Sequence, residues 1–143
     1  RATVTEADLN YIGSLTLDED LMDAAGFREY EKIQVLDITN GNRIETYIIC
    51  GARGSGKVCI NGAAAHLIHK DDLVIIVAYC KLDDSEAQNH TPNIVHVNTE
   101  NQIRTYSSRG QTLRHTDNFA CLIIIVPFFH QLPINLYKAS VII

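Results

Sequence analysis

Apolar and polar residues alternate in short runs along much of the chain, which is the pattern of half-buried β-strands. Helical spacing is predicted only in residues 15–26 and in a short turn after Asn61, whereas residues 83–92 are polar and predict a loop. Many short strands with little helix indicate a mainly β fold of the small barrel or sandwich type. The predicted strand segments are residues 1–11, 32–50, 58–60, 73–79 and 93–97.

The helical signal in residues 15–26 comes with residues that suit both of its ends. Thr16 and Glu19 have the spacing of a capping box, and Asp18 is a second candidate for the N-cap. Gly26 suits the C-terminal end, because glycine readily adopts the left-handed conformation that ends many helices. We therefore expect a short helix over this segment.

Residues 32–50 predict a β-hairpin, because two β-rich runs are joined by Asn40 and Gly41. Both residue types tolerate positive φ, which a two-residue type I′ turn requires. A loop of this length pairs residue 38 with 43, 36 with 45 and 34 with 47.

The predicted hairpin has consequences for which side chains act together. Arg43, Glu45 and Tyr47 share one face of the second strand, and Thr46 points to the other face. At about 3.3 Å per residue, Arg43 and Tyr47 stand roughly 13 Å apart in a flat strand. Joint action on one small ligand therefore needs twist, a bulge or a second subunit.

Composition narrows the class of protein. The chain has 143 residues, of which 46% are hydrophobic and 20% charged, with a formal net charge of −5. These values are typical of a folded domain and give no positive field for nucleic acid or anionic lipid. Residues 119–129 are strongly apolar, but Pro127 interrupts the segment well short of the roughly 20 residues of a membrane helix. We expect no nucleic-acid or membrane partner.

The cysteines and histidines predict neither a disulfide scaffold nor a metal site. The four cysteines, at positions 50, 59, 80 and 121, have no CxxC spacing, which agrees best with a reducing cytoplasm. His66 and His69 are three residues apart, but no cysteine or acidic cluster accompanies them. We interpret both as solvated or capping residues and expect no metal.

Residues 51–58 read GARGSGKV and match most of a phosphate-binding loop. Val58 lacks the hydroxyl that would hold Mg²⁺, and the residues after it predict a strand where a helix N-terminus is needed. The segment is therefore interpreted as a glycine-rich loop between strands, without nucleotide binding.

Four separated segments carry a more specific signal. The chain reads RATVTEADLNYIGSLTLDEDLMDAAG, then ITNGNRIETY, then ARGSG, then INGAAAHLIHKDDLVIIVAY. In this order and spacing, from Arg1 to about Val97, the chain resembles the pyruvoyl-dependent aspartate 1-decarboxylase family. The resemblance implies a double-psi β-barrel with short helices, and a homotetramer whose active sites lie between subunits. By itself, the Gly13–Ser14 pair would be read as a simple turn.

The resemblance also implies a self-processing enzyme. The Ser14 hydroxyl would attack the Gly13 carbonyl, and the resulting ester would be eliminated and hydrolysed to leave a pyruvoyl group at position 14. Glycine at position 13 would admit an unusual backbone geometry. The ketone would form a Schiff base with L-aspartate and act as electron sink while CO₂ leaves, so neither pyridoxal phosphate nor a metal is needed. The product is β-alanine, for pantothenate and coenzyme A synthesis.

Site roles follow from the resemblance position by position. Arg43 matches the residue that pairs with a substrate carboxylate, and Tyr47 matches the proton donor of the decarboxylation. Thr46 matches the hydroxyl that polarises the Gly13 carbonyl during cleavage. Without the resemblance, these residues fit an exposed hairpin arginine and ordinary strand residues equally well. The pocket lining is implied to comprise Tyr11, Asn61, Gly62, Ala63, Ala64 and Ala65.

The resemblance divides the chain into two parts. Residues 1–103 are expected to form the decarboxylase barrel, and residues 104–143 an extension of unknown role. Relatives carry a further strand upstream of Arg1, with a lysine and a histidine, so we expect residues to precede this sequence. Whether maturation needs a separate protein factor is a question that the sequence leaves open. The alternative hypothesis is a barrel homologue that neither matures nor catalyses.

Overall fold

Ten strands form one mixed sheet in the computed structural model, which describes residues 1–107 and 136–143. Two short α-helices, α1 (Glu19–Ala25) and α2 (Asp84–Asn89), and a 3₁₀ helix (Gly62–His66) accompany the sheet. The prediction of a mainly β fold with short helices is confirmed. The strands are β1 (Ala2–Thr3), β2 (Glu6–Asp8), β3 (Ser14–Asp18), β4 (Lys32–Asp37), β5 (Arg43–Gly51), β6 (Val58–Asn61), β7 (Leu73–Leu82), β8 (Ile94–Val97), β9 (Ile103–Ser107) and β10 (Leu136–Ile142).

The order of strands in the sheet brings distant segments together. It runs β2-β6-β3-β5-β4-β7-β10-β8-β9, and β1 also pairs with β7. β3 lies between β6, to which it is antiparallel, and β5, to which it is parallel. The start of β3 is therefore flanked on both sides by strands that come much later in the sequence.

The core consists of the apolar side chains that these strands direct to one side, together with the inner face of α1. Such burial is the main favourable term in folding, worth roughly 25 cal/mol per Å² of apolar surface. The largest fully buried side chains are Leu15, Leu17, Leu21, Ile33, Ile48, Ile60, Ile68, Ile76, Ile142, Val4, Val35 and Val58.

The predicted helix over residues 15–26 is wrong in its first part. Residues 14–18 form β3, because Leu15 and Leu17 alternate into the core and their backbone pairs with β5 and β6. The helix begins only at Glu19, with Asp18 as its N-cap, and Thr16 therefore forms no capping box. Gly26 ends the helix in the left-handed conformation, as predicted.

The predicted hairpin forms, but with a different turn and register. Leu36 pairs with Arg43, so the pairing is shifted by two residues from the prediction, and the Asp37 N–H donates to the Asn42 carbonyl, which leaves the four residues 38–41 as the loop. Gly41 has positive φ and Asn40 does not, which excludes a type I′ turn. The cause is Asp37, whose carboxylate accepts hydrogen bonds from the backbone of Thr39 and Asn40 and from the Asn40 side chain. A shift of two residues preserves the facing of every side chain.

Residues 83–92 differ from the sequence interpretation, and part of the predicted extension joins the sheet. The polar residues predicted as a loop contain α2, which begins with a capping box between Asp83 and Glu86. Within the segment predicted as an extension, β10 pairs antiparallel with β7, and the Ile142 side chain is fully buried. The apolar segment 119–129 and Cys121 lie outside the described residues. Among the described residues, no helix is long and apolar enough to cross a membrane.

The glycine-rich loop of residues 51–58 connects β5 to β6, which confirms that a strand follows it. The loop folds around the buried carboxylate of Asp18, whose two oxygens accept hydrogen bonds from the backbone N–H groups of Gly54, at 3.0 Å, and Gly56, at 2.6 Å. An internal carboxylate thus occupies the place that a phosphate would take. Arg53 closes the outside of the loop through ion pairs with Glu19, Asp20 and Asp23.

Candidate active site

Ser14 is buried at the start of β3 and lies directly across from Asn61 of β6. The Asn61 Nδ2 atom donates to the Ser14 Oγ atom at 2.8 Å. The Ser14 hydroxyl in turn donates to the carbonyl of Ile12 at 3.4 Å. The side chain of Ser14 is therefore held at both its donor and its acceptor side, next to the peptide bond that joins it to Gly13.

Gly62 packs directly against the Gly13–Ser14 junction. It has a φ of +63°, and a Cβ atom there would lie 2.8 Å from the Gly13 N and Cα atoms and from the Tyr11 carbonyl oxygen. These contacts involve backbone atoms that cannot rotate away, so only glycine fits. Gly13 itself lies outside the left-handed region, and a Cβ there would make only an ordinary 3.8 Å contact with the Asn61 carbonyl. The left-handed backbone at this junction therefore belongs to Gly62 and not to Gly13.

Two side chains that sequence reasoning did not assign complete a hydrogen-bond network around Asn61. The second Nδ2 hydrogen of Asn61 is donated to Thr16 Oγ1 at 2.8 Å. The thiol of Cys59, buried like Asn61, donates to Asn61 Oδ1 at 3.2 Å. Ser14 and Thr16 are two residues apart, as are Cys59 and Asn61, so alternation in two paired strands would have identified them. The predicted helix over residues 15–26 concealed this pattern.

Burial keeps the Cys59 thiol protonated. Desolvation is the main cause that raises its pKa, and the neighbouring carboxylate of Glu6 on β2 acts in the same direction. Lys57 opposes this shift but is itself paired with Glu6, at 3.0 Å. The sulfur therefore carries its hydrogen at neutral pH and acts as a donor to Asn61.

Tyr47 lies beside Ser14 within the sheet. Leu15 pairs with Ile48 in parallel register, so the preceding residues of the two strands, Ser14 and Tyr47, share the face opposite the core. Thr46 lies on the other face, across from the buried Ile33, which agrees with its predicted facing.

Arg43 lies farther from the junction than Tyr47 does. It begins β5, four residues before Tyr47, and its side chain is exposed. Within the described part of the chain it makes no ion pair, whereas Lys32 and Glu45 on the same face pair at 2.7 Å. The structure thus brings Gly13, Ser14, Asn61 and Gly62 into contact and leaves Arg43 at a distance.

The remaining predicted lining residues lie in the 3₁₀ helix, directly after Gly62 in the chain. Ala65 is buried, Ala64 half-buried and Ala63 exposed. The residues before Gly13 present apolar surface to the solvent, with Tyr11 49% and Ile12 80% exposed. The described residues contain no group of three side chains that could hold a metal ion. His69 instead faces Asp72, with 3.6 Å between Nδ1 and Oδ2.

This geometry suits chemistry at the peptide bond between Gly13 and Ser14. The Ser14 hydroxyl belongs to the residue that directly follows that carbonyl, and its rotamer is held by Asn61 and by the Ile12 carbonyl. Attack on the preceding carbonyl converts an amide into an ester without any added group. The donor on Asn61 then faces the oxygen that becomes the ester oxygen.

Comparison with known proteins identifies the family. The sequence model described as aspartate decarboxylase matches residues 1–104. An aspartate 1-decarboxylase of Corynebacterium efficiens is 61% identical over 103 residues, which cover 72% of this chain and 76% of the relative. One from Caldicellulosiruptor bescii is 57% identical (78% and 87% covered), and one from Clostridium kluyveri is 52% identical (78% and 90% covered). The chain belongs to the aspartate decarboxylase family.

Proposed function

We propose that this chain cuts its own backbone between Gly13 and Ser14, and that the mature enzyme decarboxylates L-aspartate to β-alanine and CO₂, which supplies pantothenate and coenzyme A synthesis. The observation that carries the proposal is the buried Ser14 Oγ, held 2.8 Å from Asn61 Nδ2. Family membership gives the expected substrate, and this junction gives the expected position of the chemistry.

The cleavage uses only groups of the chain and water. The Ser14 Oγ attacks the Gly13 carbonyl carbon, the C–N bond breaks, and the amine of Ser14 becomes free. The Ser14 Cα then loses its proton, the Cβ–Oγ bond breaks, and its electron pair remains on the Gly13 carboxylate. Hydrolysis of the resulting dehydroalanine releases ammonia and leaves a ketone. Thr46 is proposed to polarise the Gly13 carbonyl in the first step, as the family resemblance implies.

The residues around Ser14 fit a pyruvoyl group at that position. The group would be made from Ser14 itself, with Asn61 Nδ2 as the nearest donor and Gly62 leaving no side chain in the way. Once formed, it would supply a carbonyl that accepts the substrate amine and an electron sink for the loss of CO₂. Tyr47, beside position 14 on the same face, is proposed to deliver the proton that replaces the carboxylate.

Substrate binding is proposed to involve Arg43 and a second subunit. A guanidinium can bind both oxygens of a carboxylate, and Arg43 is exposed and has no ion pair within the described residues. Its separation from Tyr47 along the strand, about 13 Å at 3.3 Å per residue, favours a site completed by a neighbouring subunit. The exposed apolar side chains of Tyr11 and Ile12 beside the junction support a homotetramer with its active sites between subunits.

The remaining family properties belong to the same proposal. These are the double-psi topology of the barrel, the absence of pyridoxal phosphate and of a metal, and a cytoplasmic location. The three described cysteines are free thiols, which supports a reducing compartment. Assistance by a maturation factor would show as cleavage in cell extract that is faster than in the purified chain.

Intact-mass spectrometry of the purified full chain under denaturing conditions tests the proposal. We expect a fragment that begins at position 14 and is lighter, by the mass of one ammonia, than the same fragment with a free serine terminus. Ser14→Ala removes the nucleophile and the source of the ketone, so this variant should fold, remain uncut and release no CO₂ from aspartate. An uncut wild-type chain, or cleavage in Ser14→Ala, would contradict the proposal and favour a barrel homologue that does not mature.

A further inference from the structure

The Asn61 side chain has two possible orientations of its amide, and the residues around it decide between them. The amide oxygen and nitrogen are similar in size, so shape alone does not select one orientation. The Thr16 hydroxyl is neutral to the choice, because a hydroxyl can donate or accept, whereas the Ser14 hydroxyl donates to the Ile12 carbonyl and so accepts from the amide. The remaining contact of the amide is the Cys59 thiol, 3.2 Å from Oδ1.

A protonated thiol selects one orientation. Sulfur is a poor acceptor, so an amide turned round would direct its N–H group at a weak partner and lose the S–H donor. Burial and Glu6 raise the pKa of Cys59, which keeps that donor present at neutral pH. The thiol has two further acceptors, the carboxylate of Glu6 and the carbonyl of Ile60, the latter farther away at 4.0 Å than Asn61 Oδ1 at 3.2 Å. Cys59 therefore favours the orientation in which both Nδ2 hydrogens point at the hydroxyls of Ser14 and Thr16.

The orientation of the amide matters for Ser14 at one chemical step. In the ester formed by the acyl shift, Oγ joins Ser14 Cβ to the Gly13 carbonyl. When the Ser14 Cα–H proton leaves to solvent, the Cα=Cβ double bond forms, the Cβ–Oγ bond breaks, and the electron pair stays on Oγ. A donor close to that oxygen stabilises the developing negative charge. Turned round, the amide would present its own oxygen lone pairs to this charge and oppose the step.

We propose that Cys59 is a positioning residue for self-cleavage, which acts by holding the Asn61 amide with its N–H donors toward Ser14 Oγ. The inference rests on the proposed self-cleavage and adds a residue to it. Cys59 touches neither Ser14 nor the reacting carbonyl directly, and its effect passes through Asn61. Because β6 places Cys59 two residues before Asn61, the two side chains share one face of the strand.

The test compares cleavage of freshly purified precursor in three variants with the wild type. Cys59→Ala removes the donor, and we expect cleavage about tenfold slower, as for the loss of a hydrogen bond worth about 1.4 kcal/mol. Cys59→Ser keeps a donor at the same position and should cleave within about threefold of the wild-type rate. Cys50→Ala, which removes an exposed thiol on β5, is the matched control and should be unchanged.

Hydroxylamine separates a positioning role from general destabilisation. Because it attacks esters, it converts trapped ester into a fragment 1–13 ending in a hydroxamate and a second fragment beginning with free Ser14. We expect Cys59→Ala to accumulate this ester, with its melting temperature close to that of Cys59→Ser. The inference would be overturned if Cys59→Ala cleaved at the wild-type rate, if Cys59→Ser were slowed as much as Cys59→Ala, or if Cys59→Ala were slowed without accumulating ester. In each of these cases, cleavage of the wild-type chain would still support the proposed function. An uncut wild-type chain would overturn both.

Discussion

Two glycine-containing segments of this protein, residues 61–62 and the loop of residues 51–58, each pack closely against a polar side chain from β3, but the two side chains have different roles. At the Gly13–Ser14 junction, Gly62 packs against the backbone while the Ser14 hydroxyl is held by Asn61. In the loop of residues 51–58, backbone N–H groups surround the Asp18 carboxylate. The loop looks like a ligand site in the sequence, whereas the junction looks like an ordinary turn.

The difference lies in what the polar group can still do after the chain has folded. The Asp18 carboxylate accepts hydrogen bonds from three backbone N–H groups, those of Asp20, Gly54 and Gly56, so its charge serves to hold the structure. Ser14 is also buried and hydrogen-bonded, but its hydroxyl lies next to a peptide carbonyl that it can attack. Close packing of glycine around a polar group therefore indicates a reactive site only where that group lies next to an atom with which it can react, as the Ser14 hydroxyl does and the Asp18 carboxylate does not.

Of the substitutions that test this difference between the two segments, Gly62→Ala should have the largest effect on stability and cleavage. The new Cβ would lie 2.8 Å from three backbone atoms at a φ of +63°. We expect a loss of stability of about 3 kcal/mol from overpacking and left-handed strain, and cleavage slower by about 100-fold or more. Precursor cleavage by intact mass and urea unfolding at fixed protein concentration measure the two effects. Gly13→Ala is the matched control for stability, because its Cβ would find room. Equal stability losses in both variants would refute the special role of Gly62.

Arg43→Ala tests whether self-cleavage at the junction and turnover of aspartate depend on different residues. Because Arg43 is exposed and away from the junction, the variant should process normally. It should lose the charge-assisted pair with a substrate carboxylate, with kcat/KM for aspartate lower by about 100-fold. Steady-state release of β-alanine measures this loss. Arg104→Ala on β9, another exposed arginine, is the control. Undiminished turnover in Arg43→Ala would exclude it as the carboxylate ligand.

Asp18→Ala tests the structural role of the glycine-rich loop. Three backbone N–H groups would lose their acceptor, which should lower the free energy of unfolding by about 3 kcal/mol. Because the Ser14 contacts do not involve Asp18, cleavage well below the melting temperature should stay within about threefold of wild type. Urea unfolding at fixed protein concentration and intact mass give the two values. A variant with wild-type stability but no cleavage would assign the loop to the chemistry instead.

Lys57→Ala should have the smallest effect. Lys57 pairs at 3.0 Å with Glu6, which raises the pKa of Lys57, and the side chains are 40% and 54% exposed. Solvent screening limits such a pair to about 0.5 kcal/mol of stability. Calorimetric titration with ATP and Mg²⁺ should detect no binding in either the wild type or the variant. ATP affinity that falls when Lys57 is replaced would restore the phosphate-loop interpretation.

The hairpin and β3 show which structural features short-range sequence patterns predict and which depend on pairing with distant strands. Apolar alternation predicted β4, β5, β6 and β7, and the even shift in hairpin register left every side chain on its predicted face. The helix prediction failed over residues 15–18, because Leu17 has helical spacing to Leu21 as well as strand spacing to Leu15. Pairing with β5 and β6, both distant in sequence, decided in favour of the strand.

Short-range patterns in the chain were enough to predict the mainly β class and the facing of Arg43, Tyr47 and Thr46, and the separated motifs were enough to predict the family. Strand pairing and packing were needed to show that Gly62 packs against the Gly13–Ser14 junction, that Cys59 is linked to Ser14 through Asn61, and that Asp18 fills the glycine-rich loop. The reason is physical. Alternation and turn chemistry act between neighbours in the chain, whereas the contacts of Gly62 with Gly13, of Asn61 with Ser14 and of the glycine-rich loop with Asp18 join residues more than 30 positions apart and exist only once the strands have paired.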